Sequence, residues 1–415
     1  MFKKKALAAV AAVTLTAFPA LSMHATTAHA AIRPDTTSGC GGPVVTVYGS
    51  SALRSFIVAS SQDYCNTFSN KTTAPDVEYQ SGGDSCPGVN FAADHPGADD
   101  VGASDVFAPA CTGGAARPSS SIQDNVIAVN VVDSIAQCPG ANDLQGSSPH
   151  APSTDVPCVG NGSGQNNQTF TAPNNESVQT AQLLWSSALG DYAQAGGTAN
   201  NPPTVQQRIP GSGTRATWCQ NLYGPGNDQC VGNATNANTT GDELTAVCGN
   251  PYASGGPAAP TDGANAIGYA TRAALVVDPR QPGAGASGLA PLAGCGIVNL
   301  NGLNGYNGRC DPTNIGAAPA GTVGTNPESS ASTCNGDLQV ATGQYPVWGY
   351  EHLDLNPNAG ANARAYVNFV NSALSATSGQ QAERLQQQGF IKTCQMEFVR
   401  GADAGPYSAS TGATC

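Results

Sequence analysis

The 415-residue sequence predicts an α/β fold with mostly parallel strands, on three observations. Short β-rich runs alternate with stretches whose apolar residues recur at helical spacing. Gly/Ser turns stand at the junctions between them. No internal repeat replaces that alternation with a stacked or propeller architecture.

The elements follow in order. After a polar, Gly-rich lead-in over 31–43, residues 43–48 read as a buried strand. Gly49, Ser50 and Ser51 then give way to a helix over 52–68, carried by Leu53, Phe56, Ile57 and Tyr64. Residues 76–80 form a second strand, and 81–88 a second Gly/Ser loop. A third short strand over 99–105 ends in Ser104 and Asp105. The strongest strand pattern lies at 124–132. Residues 138–175 read as a long surface loop pinned by Cys138 and Cys158, and 176–192 as a helix. Residues 224–263 read as loop, with Cys230 and Cys248 as staples; 265–270 is a compact strand. Residues 279–344, rich in Gly, Asn and Pro and carrying Cys295, Cys310 and Cys334, read as a disulfide-held insertion, since a flexible linker needs no cysteines. A strand over 345–350 and helices over 361–371 and 378–388 close the chain.

The most informative stretch is 208–215, Arg-Ile-Pro-Gly-Ser-Gly-Thr-Arg. Pro210 and Gly211 end what precedes, and a helix over 215–222 follows. A helix start presents unpaired N–H groups and the positive end of the helix dipole, and so favours an anion. Ser212 and Thr214 add hydroxyl donors, and Gly213 lets the backbone approach a ligand. Arg208 supplies a planar charged fork suited to a tetrahedral oxyanion. The stretch lacks the lysine of a nucleotide phosphate loop, and the bland alternative is an ordinary loop with a Ser or Thr helix cap. Asp105 stands where a strand gives way to a loop, the place where ligands of open parallel sheets collect; its bland role is that of a turn residue.

Composition narrows the class of protein. Lys3, Lys4 and Lys5 precede an apolar run over 6–21, and Ala28-His29-Ala30 forms a small-x-small cleavage site, so residues 1–30 read as a secretory signal peptide. No cysteine stands at that point to take a lipid, and no later segment reads as membrane-inserted. The chain carries 28 acids against 16 bases, and removing the leader takes away three lysines and no acid. Such an acidic chain is a poor partner for nucleic acid or an anionic membrane. Net charge describes the far field, however, while a small buried site answers to local donors and dipoles. The 14 cysteines all follow the leader, an even number that implies disulfides in an oxidising compartment. Neighbours such as Cys138–Cys158 and Cys394–Cys415 are conceivable pairs; sequence does not fix connectivity. No Cys-x-x-Cys occurs, and His95, His150 and His352 are not at ligand spacing, so neither a metal nor a cofactor is expected.

Several pieces in this order resemble one family. They are Tyr79-Gln80 before a Gly/Ser loop, Gly102-Ala103-Ser104-Asp105, the strand ending Val129-Asn130, and Arg208 with Ser212-Gly213-Thr214. Ala266-Ile267-Gly268-Tyr269, Tyr345-Pro346, the run from Ala363 to Phe369, and Gln388-Gly389-Phe390-Ile391 complete the set. Together they resemble the phosphate-specific periplasmic substrate-binding proteins of ABC importers, over 44–270 and 345–392. The resemblance implies a two-lobed clamp, its hinge crossed at least twice, with disulfide-stapled insertions added. The first lobe would comprise 40–130 and 270–415, the latter carrying the insertion at 279–344; the second would comprise 131–269.

The implied ligand is inorganic phosphate, bound without catalysis. Arg208, Ser212, Gly213 and Thr214 match the main anion loop, and Asp105 the acid that accepts the ligand's proton. A proton-bearing phosphate satisfies that acid; sulfate leaves it buried and repelled, a mismatch of about 2–5 kcal/mol. Two loops depart from the pattern. The first offers Ser51 and the backbone N–H groups of Ala52 and Leu53 where many relatives place a Thr. The second holds Asp84 and Cys86 where Ser and Gly are usual, leaving Ser85 as donor and Ser81 as its substitute; Asp84 should be repulsive to an anion unless turned away. The resemblance also implies an ABC permease of the inner membrane as partner, a monomeric state, and a place in the periplasm or medium. The competing readings are a secreted structural or adhesion protein on the same scaffold, and a phosphate-ester hydrolase with Ser212 as nucleophile. The latter lacks a histidine near Ser212 in sequence.

Overall fold

A computed structural model describes residues 36–80, 84–111, 121–137, 175–196, 202–227, 230, 235–248, 266–276, 295–301, 303, 339–374, 381, 384–385 and 388–410. The leader, Ser81, Cys138, Cys158, Cys415 and most of the insertion lie outside these residues. The strands are β1 (Thr36–Thr37), β2 (Val44–Gly49), β3 (Asp76–Gln80), β4 (Asp100–Ser104), β5 (Val126–Gln137), β6 (Asn175–Glu176), β7 (Thr204–Arg208), β8 (Thr235–Ala237), β9 (Ala266–Thr271), β10 (Cys295–Leu300) and β11 (Trp348–Asp354). They join in one sheet in the order β1-β3-β2-β4-β11-β5-β9-β7-β8, with β10 pairing β5 and β6 pairing β10. A separate small hairpin pairs β12 (Phe398–Val399) with β13 (Ser408–Ala409).

The sheet is mixed rather than mostly parallel. Its flanks are parallel, β3-β2-β4 on one side and β8-β7-β9 on the other. Between them β11 runs antiparallel to both β4 and β5, and β5 antiparallel to β9. Short β-runs announce strands but not their direction, which depends on distant partners. Strand β5 is 12 residues long and touches two hydrophobic cores. Its Ile127 and Ala128 belong to a core with Val45, Val47, Phe56, Ile57, Tyr79 and Leu353. Its Val129, Val131, Val132 and Ala136 belong to another with Trp185, Trp218, Tyr269 and Trp348. β11 likewise contributes Leu353 to the first and Trp348 and Tyr350 to the second. Each large side chain in these cores contributes about 1.5–3 kcal/mol on burial.

The helices are α1 (Arg54–Asn66), α2 (Ser85–Asp94), α3 (Val178–Trp185), α4 (Gly213–Tyr223), α5 (Thr240–Cys248), α6 (Arg272–Val276) and α7 (Ala361–Leu374). Helix α1 buries Phe56, Ile57, Ser60 and Tyr64 against the first core, as their spacing predicts. Two helices fall where loop was expected. In α2, Cys86-Pro87-Gly88 looks like a turn, but a proline in the first helical turn loses no intrahelical bond. Gly88 there lets α2 lie against β4, since a Cβ would meet the Ala103 carbonyl oxygen at 2.6 Å. Helix α5 opens on a polar turn, with Asp242 and Glu243 at its positive end.

Three disulfides join described residues, Cys40–Cys65, Cys86–Cys111 and Cys219–Cys230. Cys230 therefore staples its loop to α4 rather than acting with Cys248. Cys394 is also disulfide-bonded. Among the described residues, no helix is long and apolar enough to cross a membrane.

Candidate anion-binding site

The parallel flanks end at one place. Asp105 directly follows β4, Arg208 ends β7, and the first turns of α2 and α4 meet between them. The Cys86 N–H donates to the Gly211 carbonyl at 3.1 Å, tying the two helix starts together. Gly211 makes that turn at φ +95°, in the left-handed region that glycine tolerates. The Asp105 N–H donates to Ser85 Oγ at 3.1 Å, and Thr214 Oγ1 donates to Asp105 Oδ2 at 3.1 Å. Gly213 sits so close that a Cβ would lie 2.3 Å from Ser85 Oγ and 2.7 Å from the Asp105 Cβ. The Cys86–Cys111 bridge links α2 to the segment after β4, so both acid-bearing loops are covalently joined.

Arg208 is 2% exposed, and its guanidinium is held from several sides. Nη1 donates to Thr240 Oγ1 at 2.5 Å, and Nη2 to Asp84 Oδ1 at 2.5 Å and the Asn238 carbonyl at 3.0 Å. Among the described residues, Nε is buried without a hydrogen-bond partner. Its backbone N–H donates to the Tyr269 hydroxyl at 3.1 Å, and its carbonyl accepts from Arg215 Nη1 at 2.9 Å. Glu243 lies within electrostatic reach of Arg208, accepts the Tyr269 N–H at 3.1 Å, and is pushed by burial up to about 8.

Asp84 does not turn away. It caps α2 with extended backbone, yet its carboxylate takes no bond from its own helix and reaches across to Arg208. Its side chain is 11% exposed. Burial raises its pKa to about 6; Arg208 opposes that rise and Asp105 adds to it.

Asp105 is 3% exposed; among the described residues no N–H or hydroxyl donor reaches its Oδ1, but its carboxylate shares a side-chain hydrogen bond with the buried Glu351 carboxyl. Glu351 on β11 faces it. Burial lifts Glu351 well above the usual carboxylate range, the neighbouring Asp105 lifts it further, and Asn130 on β5 opposes the rise. Sequence reasoning did not single out Glu351, Asn130, Glu243, Thr240 or Tyr269 as site residues. The available signal was polar groups set inside strands, Asn130 within a valine-rich run and Glu351 between Tyr350 and His352.

The other predicted residues are placed differently. Ser212 Oγ accepts the Arg215 N–H at 3.4 Å, so it serves as the N-cap of α4. The Ala52 N–H donates to Ser50 Oγ at 3.1 Å, Leu53 is fully buried in the first core, and Ser51 is half-buried. Among the described residues, the hydrogen bonds of loop 49–53 run to Ala103, Tyr79 and its own helix. The structure thus joins Ser85, Asp105, Gly213 and Thr214 directly, and links Arg208 to them through Asp84.

A metal was not expected, but Asp124, His352 and Asp354 come together with candidate ligand atoms within 4.8 Å of one another. His352 Nδ1 and Asp124 Oδ1 are 2.6 Å apart. Two ligands on one ion stand about 3 Å or more apart, so that contact is a hydrogen bond. Burial would lower His352, but the bond to Asp124 raises it on balance.

No protein-family model matches the chain, and no curated protein does. Solved structures do. The chain has the fold of phosphate ABC transporter substrate-binding proteins. One such structure, from Clostridium perfringens and holding phosphate, matches with a TM-score of 0.50 at 13% identity, over 84% of this chain and 99% of that one. An ABC-type phosphate transport receptor from Vibrio cholerae matches at 0.46 and 12% identity, over 84% and 99%. A phosphate-binding protein from Stenotrophomonas maltophilia matches at 0.46 and 14%, over 85% and 91%.

Proposed function

We propose that this chain is an exported binding protein that captures inorganic phosphate between two lobes, without chemical turnover. The observation that carries the reading is the meeting of Arg208, Asp105, Thr214 and Ser85 at the paired starts of α2 and α4. Arg208 Nε is a buried donor with no acceptor among the described residues, which an oxyanion would satisfy, and the ligand's P–OH would replace the Glu351 carboxyl as the donor to Asp105. The likeness in fold to a phosphate-holding protein supports the same ligand. In this reading the first lobe comprises 40–130 and 270–415, the second 131–269, with β5 crossing from one to the other. The leader directs the chain to the periplasm or medium, where a monomer would deliver phosphate to an ABC permease.

The rejection of sulfate comes from Asp105. A phosphate P–OH donates to Oδ1, whereas sulfate has no proton to give and meets a like charge. Titration calorimetry on protein stripped of anions tests this. Phosphate should bind, sulfate should bind at least tenfold more weakly, and Asp105→Asn should lose most of that discrimination. Absence of phosphate binding, or unchanged selectivity in the variant, overturns it.

A further inference from the structure

Asp84 reaches into this site from a helix cap, and it occupies the guanidinium that an anion would seek. We propose that Asp84 is a second specificity-determining acid, and that the site therefore takes a tetrahedral oxyanion together with two protons, as dihydrogen phosphate does, in preference to a dianion. The inference rests on the phosphate reading above.

The charges facing Asp84 come from every surrounding element. Arg208 bonds it from β7, and Asp105 acts on it from the end of β4. Tyr48 on β2 is coupled to it. Behind these, Arg215 of α4 holds the Arg208 carbonyl, Glu243 of α5 faces Arg208, and Glu351 of β11 faces Asp105. Burial raises Glu243 to about 8 and Glu351 well above the usual carboxylate range, which favours the neutral form of each. Two guanidiniums are then matched by two aspartates, leaving no net positive charge for a dianion. Each proton brought in gives one aspartate a donor: one P–OH to Asp105 Oδ1, the other to Asp84, whose hold on Arg208 Nη2 is thereby relaxed. The same inventory arises if Asp84 itself takes a proton and hydrogen phosphate enters; its raised pKa makes that exchange accessible near neutral pH. A dianion meeting ionised Asp84 must displace a carboxylate from a buried guanidinium and leave it unpaired.

The test is calorimetry with inorganic phosphate at about pH 6 and about pH 8.5, in buffers of differing ionisation enthalpy, to count protons taken up. Wild-type protein should bind at least tenfold more weakly at the higher pH, with proton uptake on binding there. Asp84→Asn should bind phosphate at least tenfold more tightly than wild type at the higher pH, with a shallower profile whose remaining decline comes from Glu243, which titrates at about 8 beside Arg208. Tryptophan emission from Trp218 and thermal melting verify that the variant is folded, and Asp84→Ser serves if it is not. If both proteins bind phosphate with the same affinity at both pH values, the Asp84 inference fails while the phosphate reading stands. If neither binds phosphate at either pH, the phosphate reading fails and takes this inference with it.

Discussion

Replacing Gly213 by alanine tests whether the starts of α2 and α4 are as tightly coupled as their contacts imply. Alanine at the first position of a helix gains at most about 1 kcal/mol in propensity over glycine. Against this, the new Cβ would stand 2.3 Å from Ser85 Oγ, 2.8 Å from the Ser85 Cβ and 2.7 Å from the Asp105 Cβ, all closer than real Cβ atoms approach. Overpacking of this kind costs about 1–3 kcal/mol. Ser85 cannot rotate away freely, because its Oγ is the acceptor for the buried Asp105 N–H, and an unpaired N–H there costs about 1–3 kcal/mol more. The expected net loss is about 2 kcal/mol or greater, read as a lower urea midpoint at unchanged slope. The double variant Gly213→Ala, Ser85→Gly removes two of the three clashes and should show a coupling of about 1 kcal/mol or more. Phosphate affinity should fall at least tenfold in the single variant. A Gly213→Ala protein within about 0.5 kcal/mol of wild type that binds phosphate equally well would refute the packing argument.

Three further outcomes follow from the same structure. Asp99 caps α7 from a distant loop, accepting the N–H groups of Asn362 at 2.9 Å and Ala363 at 3.1 Å, so Asp99→Ala should cost about 1–2 kcal/mol in chemical denaturation. Replacing Cys86 and Cys111 together by alanine should cost about 3 kcal/mol and weaken phosphate binding, because the bridge holds the loops carrying Ser85 and Asp105. Stability should fall as pH rises: burial places Glu176 and Glu243 at about 8, Asp354 at about 7, and Asp84 and Asp403 at about 6. The folded chain then holds protons that the unfolded chain releases. Their contribution is complete below about pH 4 and is lost as pH climbs through these folded values, by up to about 3 kcal/mol per unit near pH 7. Urea midpoints at mildly acidic, neutral and mildly alkaline pH check this, and a midpoint that is flat or rises across that range contradicts it.

The alternation of strand and helix was legible in the order of residues alone, as were Arg208, Thr214 and Asp105 as residues at the ends of elements. Those features depend on neighbours along the chain: spacing, Gly/Ser turns, and a hydroxyl or acid at a junction. The order of residues did not reveal α2 behind Cys86-Pro87-Gly88, because the fitness of that proline depends on whether the turn continues as helix. Nor did it disclose the central antiparallel strands, the Cys219–Cys230 pairing, or Glu351 beside Asp105, each of which joins positions far apart in sequence or hidden within a strand. The role of Asp84 depends on the three-dimensional arrangement. The sequence gives it a negative charge near an anion loop; the fold places Arg208 within 2.5 Å and makes that charge a partner of the guanidinium. Local pattern sets which side chains stand at an element's end, while the register of distant strands sets which of them meet, and the chemistry of this site depends on that meeting.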